Sequence, residues 1–318
     1  MLRSGERQRA DIQSRIHSLA RLRGGSLRAA RRTGVAGCID PTRKPLGIGI
    51  NAGYRFVVMK PKEHTVCGLA AVKALFARDA GAIKRLFFDY PTGRRIGIIC
   101  QALSRARKVY RCVEPAELEK ISGTVHHGGI VAVIEPRVMH PPRPEDLRRW
   151  AHARAPLLLL DRIGNVHNLG AIVRSAAFFG VEHIVIPEDP EQARPGEAAY
   201  RVAEGGMEHV EIHAVNSLAA FIQEVKPFYR VIGTAVRGAV PIGAGEAGKL
   251  SGKAAQRPVA LVLGNEERGL APEVAAACDD LVRIPGRGAI ESLNVSAAAA
   301  VFCWEFFGRL SSGPLHRT

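Results

Sequence analysis

The second half of the chain alternates short apolar runs with segments whose apolar residues recur every three to four positions. The runs are rich in Leu, Ile and Val and predict strands, whereas the spaced segments predict amphipathic helices. Strands that are buried on both faces have near-continuous apolar sequences, so the pattern predicts a parallel sheet covered by helices on both sides. The predicted strands are 156–161, 183–187, 229–236, 258–266 and 281–285, and the predicted helices are 167–180, 216–225, 271–278 and Ser292–Leu310.

Residues 60–135 alternate in the same way over a shorter length. Helices are predicted at 66–80, 96–106 and 115–122, and strands at 84–89, 108–113 and 129–135. The predicted fold class is therefore α/β, with a small N-terminal domain at 59–135 ahead of a larger parallel-sheet domain at 155–312.

The segments that flank these domains have weak periodicity. Residues 136–154 contain four prolines and five arginines and are predicted to be a linker that ends in a short helix. Residues 1–58 are rich in Arg, Gly and Ser, which predicts a basic and mostly disordered tail. The same segment suits an organelle transit peptide, and a translation start at Met59 is a further alternative. Residues 313–318 are predicted to be a short tail.

Positive charge is concentrated in the first half of the chain. The 318 residues carry a net charge of +15. Residues 1–44 hold 11 basic and 3 acidic residues, and residues 60–150 hold 17 basic and 9 acidic residues. Residues 151–318 hold 16 basic and 18 acidic residues, a net charge of −2. A basic surface that neutralises phosphates is typical of nucleic-acid binding, so the first half is predicted to bind it.

Several functional classes are disfavoured by what the sequence contains. No apolar run approaches the ~20 residues of a membrane span, and the first residues lack the apolar core of a secretory signal. Six cysteines are scattered without a C-x-x-C pair, which favours reduced thiols in a cytoplasmic protein and no structural zinc. The pair His126–His127 has no accompanying ligands, so we expect it to contact RNA or pack against a strand rather than bind a metal. The segment "GIGINAG" lacks the spacing of a dinucleotide loop.

The most informative segment is "HNLGAIVRSAAFFG", residues 167–180. Its apolar residues form one helical face, and Asn168 is predicted to be the helix N-cap. Arg174 is predicted to point away from the apolar face, above Gly170, which leaves room for it. Polar, glycine-bearing loops also follow two later strands, at 264–270 and 286–300. Open α/β sheets bind ligands at the carboxyl ends of their strands, so these three segments predict one site.

The same three segments resemble the SpoU (TrmH) branch of the SPOUT RNA methyltransferases. "DRIGNVHNLGAIVRSA" is similar to the family motif D-x-x-x-D-P-x-N-x-G-A-x-x-R-[ST]-A, "LGNEERGL" to L-G-x-E-x-x-G-L, and "IPGRGAIESLNVS" to I-P-M-x-G-x-x-x-S-L-N-V-S. The resemblance covers residues 155–310, and residues 60–135 resemble the L30e-like substrate-binding domain of such enzymes. The chain departs from the family pattern at Asn165, Val166, Glu267 and Gly286.

This resemblance implies a fold, a cofactor and an oligomeric state. The family sheet contains a deep trefoil knot, in which S-adenosylmethionine binds in a bent conformation. By position, the cofactor residues of this chain are expected to be Gly264, Ile284, Leu293 and Thr234. The family forms homodimers through the final helices, which would leave Trp304, Phe306 and Phe307 available for the partner. The alternative is that these aromatic side chains close the core of the monomer.

The reaction implied by the resemblance is methyl transfer to a ribose 2′-OH of rRNA or tRNA, without a metal. Arg174 matches the family's catalytic arginine. Because a guanidinium does not deprotonate readily, we expect Arg174 to lower the pKa of the alcohol through its charge and to hold the adjacent phosphate. The residues expected to fix the ribose and Arg174 by hydrogen bonds are Asn168, Glu266, Asn294 and Ser296.

Two other functional classes remain as alternatives. The chain could be an RNA-binding protein that has lost catalysis, although the intact set of catalytic residues argues against this. It could also be a Rossmann oxidoreductase, which the missing G-x-G-x-x-G motif with its acidic partner argues against.

Overall fold

The computed structural model describes residues 63–243 and 257–308, which belong to one compact unit. The expectations for residues 1–58 and 313–318 lie outside the described residues. The described strands are β1 His64–Cys67, β2 Ile83–Phe88, β3 Val109–Cys112, β4 Ile130–Ile134, β5 Leu157–Asp161, β6 His183–Pro187, β7 Glu211–Val215, β8 Arg230–Thr234, β9 Val240–Pro241, β10 Val259–Gly264 and β11 Asp280–Arg283. The described helices are α1 Leu69–Asp79, α2 Tyr90–Gly93, α3 Gly97–Arg105, α4 Pro115–Ser122, α5 Pro144–His152, α6 Val166–Phe178, α7 Glu197–Ala203, α8 Leu218–Val225, α9 Pro272–Ala277 and α10 Val295–Phe306, with a 3-10 turn at Gly206–Glu208.

A mixed sheet of four strands, in the order β1-β4-β2-β3, forms the smaller N-terminal part. Strand β4 runs antiparallel to β1 and β2, and β2 runs parallel to β3. The prediction of a helix at 66–80 is wrong at its start, because His64–Cys67 pair with β4 and α1 begins only at Leu69. Gly68 separates the two elements with a φ of 93°, a conformation that favours glycine.

A sheet of seven strands, in the order β7-β6-β5-β10-β8-β11-β9, forms the larger part, and its paired strands are all parallel. The predicted parallel sheet is therefore confirmed. Leu158 and Leu160 of β5 pack in the apolar layer that contains α6 and α10, whereas Leu157 and Leu159 pack in the layer that contains α8 and α9. Burial on both faces explains why this strand has a continuous apolar sequence.

Helix α5 lies in the segment 136–154, where a short helix was predicted at the end of a linker. Leu147 and Trp150 of this helix are buried and pack in the same layer as α8. The end of this segment is therefore anchored on the larger sheet.

Helix α7 was not predicted from the sequence. It has only seven residues, between Gly196 and Gly205, which is too short for a clear periodic pattern. Ala199, Tyr200 and Ala203 are buried nonetheless, because α7 packs between α6 and the N-terminal sheet. Tertiary packing therefore stabilises this helix more than its local sequence does.

The two sheets share one apolar layer and several polar contacts. Val72 and Leu75 of α1 belong to the same buried cluster as the residues of α6. Arg137 donates a hydrogen bond of 2.8 Å to the carbonyl of Met207, and it also pairs with Glu208, whose side chain is only 1% exposed. The smaller sheet is therefore attached to the larger one by a continuous interior.

The final helix, α10, lies within the predicted range Ser292–Leu310. Phe306 and Phe307 are buried, so the alternative that these two side chains close the monomer core is correct. Trp304 is 54% exposed and remains on the surface. Within residues 63–243 and 257–308, the structure contains no helix with the length and apolarity needed to cross a membrane.

Candidate functional site

Helix α6 follows β5 after the short loop 162–165 and carries the first group of site residues. Its N-cap is Asn165, whose side-chain oxygen accepts a 2.8 Å hydrogen bond from the backbone N–H of His167. The prediction that Asn168 is the N-cap is therefore wrong by one turn of the helix. Capping by Asn165 leaves the amide of Asn168 free to point out of the first turn, toward the loops that follow other strands.

Asn168 joins a hydrogen-bonded chain of side chains from three segments. Its Nδ2 donates to Oε1 of Glu266 over 2.7 Å, and its Oδ1 accepts from Nδ2 of Asn294 over 3.1 Å. Ser296 donates from its hydroxyl and its backbone N–H to Oδ1 of Asn294, at 2.6 and 2.9 Å. Asn168 and Asn294 are 126 positions apart along the chain, but all four residues meet at one place, as expected for loops at the carboxyl ends of parallel strands.

Arg174 lies on the same helix but has a different partner. Its guanidinium pairs with the carboxylate of Glu204 at 2.9 Å, and the two side chains are 57% and 62% exposed. The hydrogen bonds that Arg174 was expected to donate to Asn168, Glu266 and Asn294 are replaced in this structure by its pair with Glu204. Arg174 is therefore open to solvent and accessible to a large polyanionic substrate.

Gly170 does not serve the purpose predicted for it. A Cβ atom at this position would lie 2.7 Å from the carbonyl oxygen of Ala199 and 2.8 Å from Cβ of Val202. Gly170 therefore makes room for helix α7 and not for the side chain of Arg174. The close approach of α7 brings Glu204, its C-cap residue, within reach of Arg174.

A pocket of about 560 Å³ opens at the carboxyl ends of β8, β10 and β11. The four residues predicted to hold a cofactor, and Glu266 of the side-chain network, all lie on its wall. The volume is within the usual range for a small-molecule site. The other residues on the wall are Ala235, Val236, Asn265, Gly269, Arg283, Pro285, Gly286, Gly288, Ile290, Glu291, Ser292, Val295, Ala298 and Phe302.

The pocket wall shows why small residues are needed in these loops. A Cβ at Gly264 would lie 2.4 Å from the carbonyl carbon of Gly269, so the backbone must come very close there. Thr234 donates its hydroxyl to the carbonyl of Val262 over 3.1 Å, which fixes its side chain against β10. Ile290 and Leu293 are 82% and 53% exposed and offer apolar surface to a ligand at the mouth.

Two residues that organise the loop after β10 were not predicted. Asp161 at the end of β5 is only 3% exposed and accepts a 2.6 Å hydrogen bond from the backbone N–H of Ala271. Asn265 accepts from the backbone N–H groups of Glu267 and Arg268 at 3.0 and 3.1 Å. Asp161 lies in the segment "DRIGNVHNLGAIVRSA" and Asn265 in "LGNEERGL". Their part in holding the loop depends on hydrogen bonds that the sequence alone does not reveal.

The described cysteines are all free, and none has the lowered pKa of a nucleophile. Burial raises the pKa of both Cys278 and Cys303 to about 12 and that of Cys100 to about 11. Covalent catalysis by these thiols is therefore disfavoured. His127 is also buried and accepts a 3.1 Å hydrogen bond from the backbone N–H of Gly129, which is a packing role.

Comparisons with known proteins agree on one family. Residues 155–304 match the model of the SpoU rRNA Methylase family, and residues 65–138 match that of the RNA 2′-O ribose methyltransferase substrate-binding domain. The chain is 34% identical over 253 residues to the Escherichia coli O157:H7 protein named uncharacterized tRNA/rRNA methyltransferase YfiF, covering 78% of this chain and 69% of that one. The chain belongs to the SpoU family.

Other SpoU proteins extend this result. The chain is 32% identical over 245 residues to the 23S rRNA (guanosine-2′-O-)-methyltransferase RlmB of Nitrosomonas europaea, covering 76% of this chain and 90% of that one. A solved structure described as an AdoMet-bound rRNA methyltransferase from Sinorhizobium meliloti has a TM-score of 0.63 at 24% identity, covering 79% of this chain and 88% of that one. The structural likeness shows the SpoU fold, including the N-terminal substrate-binding domain.

Proposed function

We propose that this SpoU chain transfers a methyl group from S-adenosylmethionine to a ribose 2′-OH of rRNA or tRNA. The observation that carries the proposal is the adjacency of the 560 Å³ pocket and the chain of Asn168, Glu266, Asn294 and Ser296, since Glu266 belongs to both. Named relatives that act on 23S rRNA guanosine 2′-OH groups support the same activity.

The residues of the pocket fit the proposed cofactor. Gly264, Ile284 and Leu293 line the pocket beside apolar surface, and we expect their backbone N–H and C=O groups to hold an adenosyl group there. The bound sulfonium supplies an already activated methyl group, so the protein has to position an oxygen and manage one proton. We expect the trefoil knot of the family to shape this pocket.

Arg174 is the proposed catalytic residue. Its exposed guanidinium can take an RNA phosphate in place of Glu204, because an ion pair of this exposure contributes only ~0–1 kcal/mol. Held there, the positive charge lowers the pKa of the neighbouring 2′-OH, while Asn168, Glu266 and Asn294 orient the ribose by hydrogen bonds. The proton of the 2′-OH leaves to solvent or to an acceptor at the site.

We propose that residues 59–135 form the RNA-recognition domain. Residues 136–154 are then the linker, and residues 155–312 form the methyltransferase domain. Helix α3, the turn that follows it and strand β3 carry the exposed cations Arg105, Arg107 and Arg111, and Tyr110 on β3 is 37% exposed. Cations beside an exposed aromatic ring suit phosphate contact and base stacking. The basic residues 1–58 would add phosphate contacts without reading a site.

A homodimer and a cytoplasmic location complete the proposal. Phe178 is 82% exposed and Trp304 is 54% exposed, on the neighbouring helices α6 and α10. Large exposed aromatics are typical of interface cores. Analytical ultracentrifugation of Trp304→Ala, compared with the unchanged chain, tests this contact, and an unchanged dimer would contradict it.

The activity is tested by incubating the purified chain with S-adenosylmethionine and rRNA or tRNA, followed by mass spectrometry of the nucleosides. We expect a 2′-O-methylnucleoside, and we expect Arg174→Ala and Arg174→Lys to lose it while cofactor binding, measured by calorimetry, is kept. The Lys variant should fail because a point charge cannot reproduce the guanidinium fork. Cofactor and RNA binding with no methylated product from any RNA fraction would favour the inactive RNA-binding alternative.

A further inference from the structure

A cluster of three side chains with metal-ligand chemistry lies at the amino ends of β6 and β7. His183 begins β6 and pairs in register with Glu211, which begins β7. His213 follows Glu211 by two residues, so the three side chains share one face of the sheet. Their ligand atoms lie within 4.8 Å of one another. Because the strands are parallel, this cluster at their amino ends lies on the opposite side of the sheet from the proposed cofactor pocket, which lies at the carboxyl ends.

The hydrogen bonding of His213 leaves one ring nitrogen available. Nδ1 lies 3.2 Å from the backbone carbonyl of His140, and because a carbonyl only accepts, Nδ1 carries the proton. The lone pair of Nε2 then faces Nδ1 of His183 at 3.4 Å and Oε2 of Glu211 at 4.0 Å. Donation of the remote N–H to a backbone carbonyl is the usual arrangement around a metal-bound histidine.

The separation of the two histidine nitrogens fits a shared ion better than a direct hydrogen bond. A typical hydrogen bond from nitrogen is about 2.9–3.0 Å long, which is shorter than the 3.4 Å found here. Two nitrogens bound tetrahedrally at about 2.1 Å from one zinc ion lie roughly 3.4 Å apart. Glu211 is exposed, so its carboxylate can approach by a side-chain rotation.

Ring contacts hold the two histidines in place and leave the nitrogens that face each other accessible to an ion. Trp150 of α5 stacks on His183 with ring centroids 3.8 Å apart, and it lies 5.1 Å from the ring of His213. Asp146 of α5 faces the pair and is itself paired with Arg143 and Arg149.

We propose that His183, Glu211 and His213 bind a divalent transition metal, with Zn²⁺ as the expected ion and water as the fourth ligand. Three protein ligands of this type and one water form a common zinc geometry. The ion links β6 and β7 to the segment 136–154, through His140 and Trp150. Its role is therefore structural, and methyl transfer at the other edge of the sheet does not require it.

The test is a calorimetric titration of the full chain with zinc chloride after chelator treatment, repeated with Glu211→Gln and His213→Ala. We expect one site in the unchanged chain and no such site in His213→Ala. In Glu211→Gln we expect an affinity at least ~10-fold lower, because loss of even an outer-shell partner of a metal ligand costs that much. Titration with Co²⁺ should give the visible absorption of a tetrahedral site, and this absorption should be lost in His213→Ala. Zinc should also raise the unfolding temperature of the unchanged chain.

His209→Ala is the matched control, because His209 is an exposed histidine near the same strand and should leave metal binding unchanged. Glu211 is exposed, so Glu211→Gln should fold normally, which circular dichroism verifies. Absence of zinc binding would overturn the proposal and leave the histidines a packed, hydrogen-bonded pair. Equal affinity in the unchanged chain and both ligand variants would also overturn it, by placing the ion elsewhere.

Discussion

The guanidinium of Arg174 lies 2.9 Å from the carboxylate of Glu204, a residue that the family motifs do not include. Glu204 is the C-cap residue of α7. Its φ is 45°, a value that non-glycine residues rarely adopt. The two residues come from helices that meet at Gly170. The Glu204 carboxylate is therefore paired with the proposed catalytic guanidinium of Arg174, from which an RNA phosphate can displace it.

Replacing Glu204 should affect RNA binding more than folding. In Glu204→Gln, we expect a change of less than ~1 kcal/mol in the free energy of unfolding, because the pair is solvent-exposed. RNA affinity should rise, because no anion competes with the phosphate, and methyl transfer should be retained. Filter binding and single-turnover methylation measure the two effects, and Glu197→Gln on the same helix is the control. A loss of turnover as large as that of Arg174→Ala would instead assign proton removal to Glu204.

A methyl group at position 170 should destabilise the chain. Gly170→Ala places a carbon 2.7 Å from a backbone oxygen of α7, so the two helices must separate, at a cost of ~1–3 kcal/mol. The control is Gly97→Ala, because a Cβ at helix residue Gly97 meets no atom within 4 Å. That change should be neutral or stabilising, since alanine favours helices over glycine by about 1 kcal/mol. Urea unfolding measures both variants, and equal midpoints would contradict the packing argument.

Loss of the Glu208 carboxylate should weaken the junction of the two sheets. The Glu208 side chain is 1% exposed and pairs with Arg137, so Glu208→Ala leaves a partly buried guanidinium without its counterion, at a cost of ~2–4 kcal/mol. The comparison pair is Lys84–Glu135, whose side chains are 44% and 59% exposed. Glu135→Ala should change stability by less than ~1 kcal/mol. Thermal unfolding distinguishes the two, and a similar small shift in both would show that the buried pair contributes little.

RNA affinity should depend steeply on salt through the first half of the chain. Replacing Arg105, Arg107 and Arg111 together by Gln should flatten the slope of log K against log salt by about 0.7 per lost contact to single-stranded RNA. Deleting residues 1–58 should flatten it further without changing the nucleotide that is methylated. Lys84→Gln is the control, because the Lys84 ammonium lies 2.7 Å from the Glu135 carboxylate, whereas Arg111 has a looser pair with Glu117 at 3.8 Å. An unchanged slope in the triple variant would place the RNA surface elsewhere.

The sequence predicted the parallel sheet and the meeting of three loops because both depend on local patterns. The continuous apolar run of Leu157–Asp161 indicates a strand buried on both faces, and polar loops after such strands meet at one edge. For this reason Asn168, Glu266 and Asn294 could be expected together although they are far apart along the chain.

Features that depend on packing between distant segments could not be predicted in this way. The sequence suggested that Gly170 accommodates Arg174, whereas it accommodates α7, a helix too short to be recognised. His126 and His127 are adjacent in the sequence and so are visible as a candidate pair, whereas His183 and His213, 30 positions apart, are brought together only by strand pairing. The predicted start of the first helix, at residue 66, was wrong because pairing of His64–Cys67 with β4 overrides the local preference for a helix.

The apolar interior that joins α1 to α6 has a consequence for the folding of the chain. When two sheets share one interior, neither can lose its packing without exposing the other, so residues 63–243 and 257–308 should unfold in a single cooperative transition. A partly folded chain that retains the proposed RNA-binding surface but has lost the proposed methyltransferase site would then be scarcely populated. Few molecules would therefore bind RNA without being able to modify it.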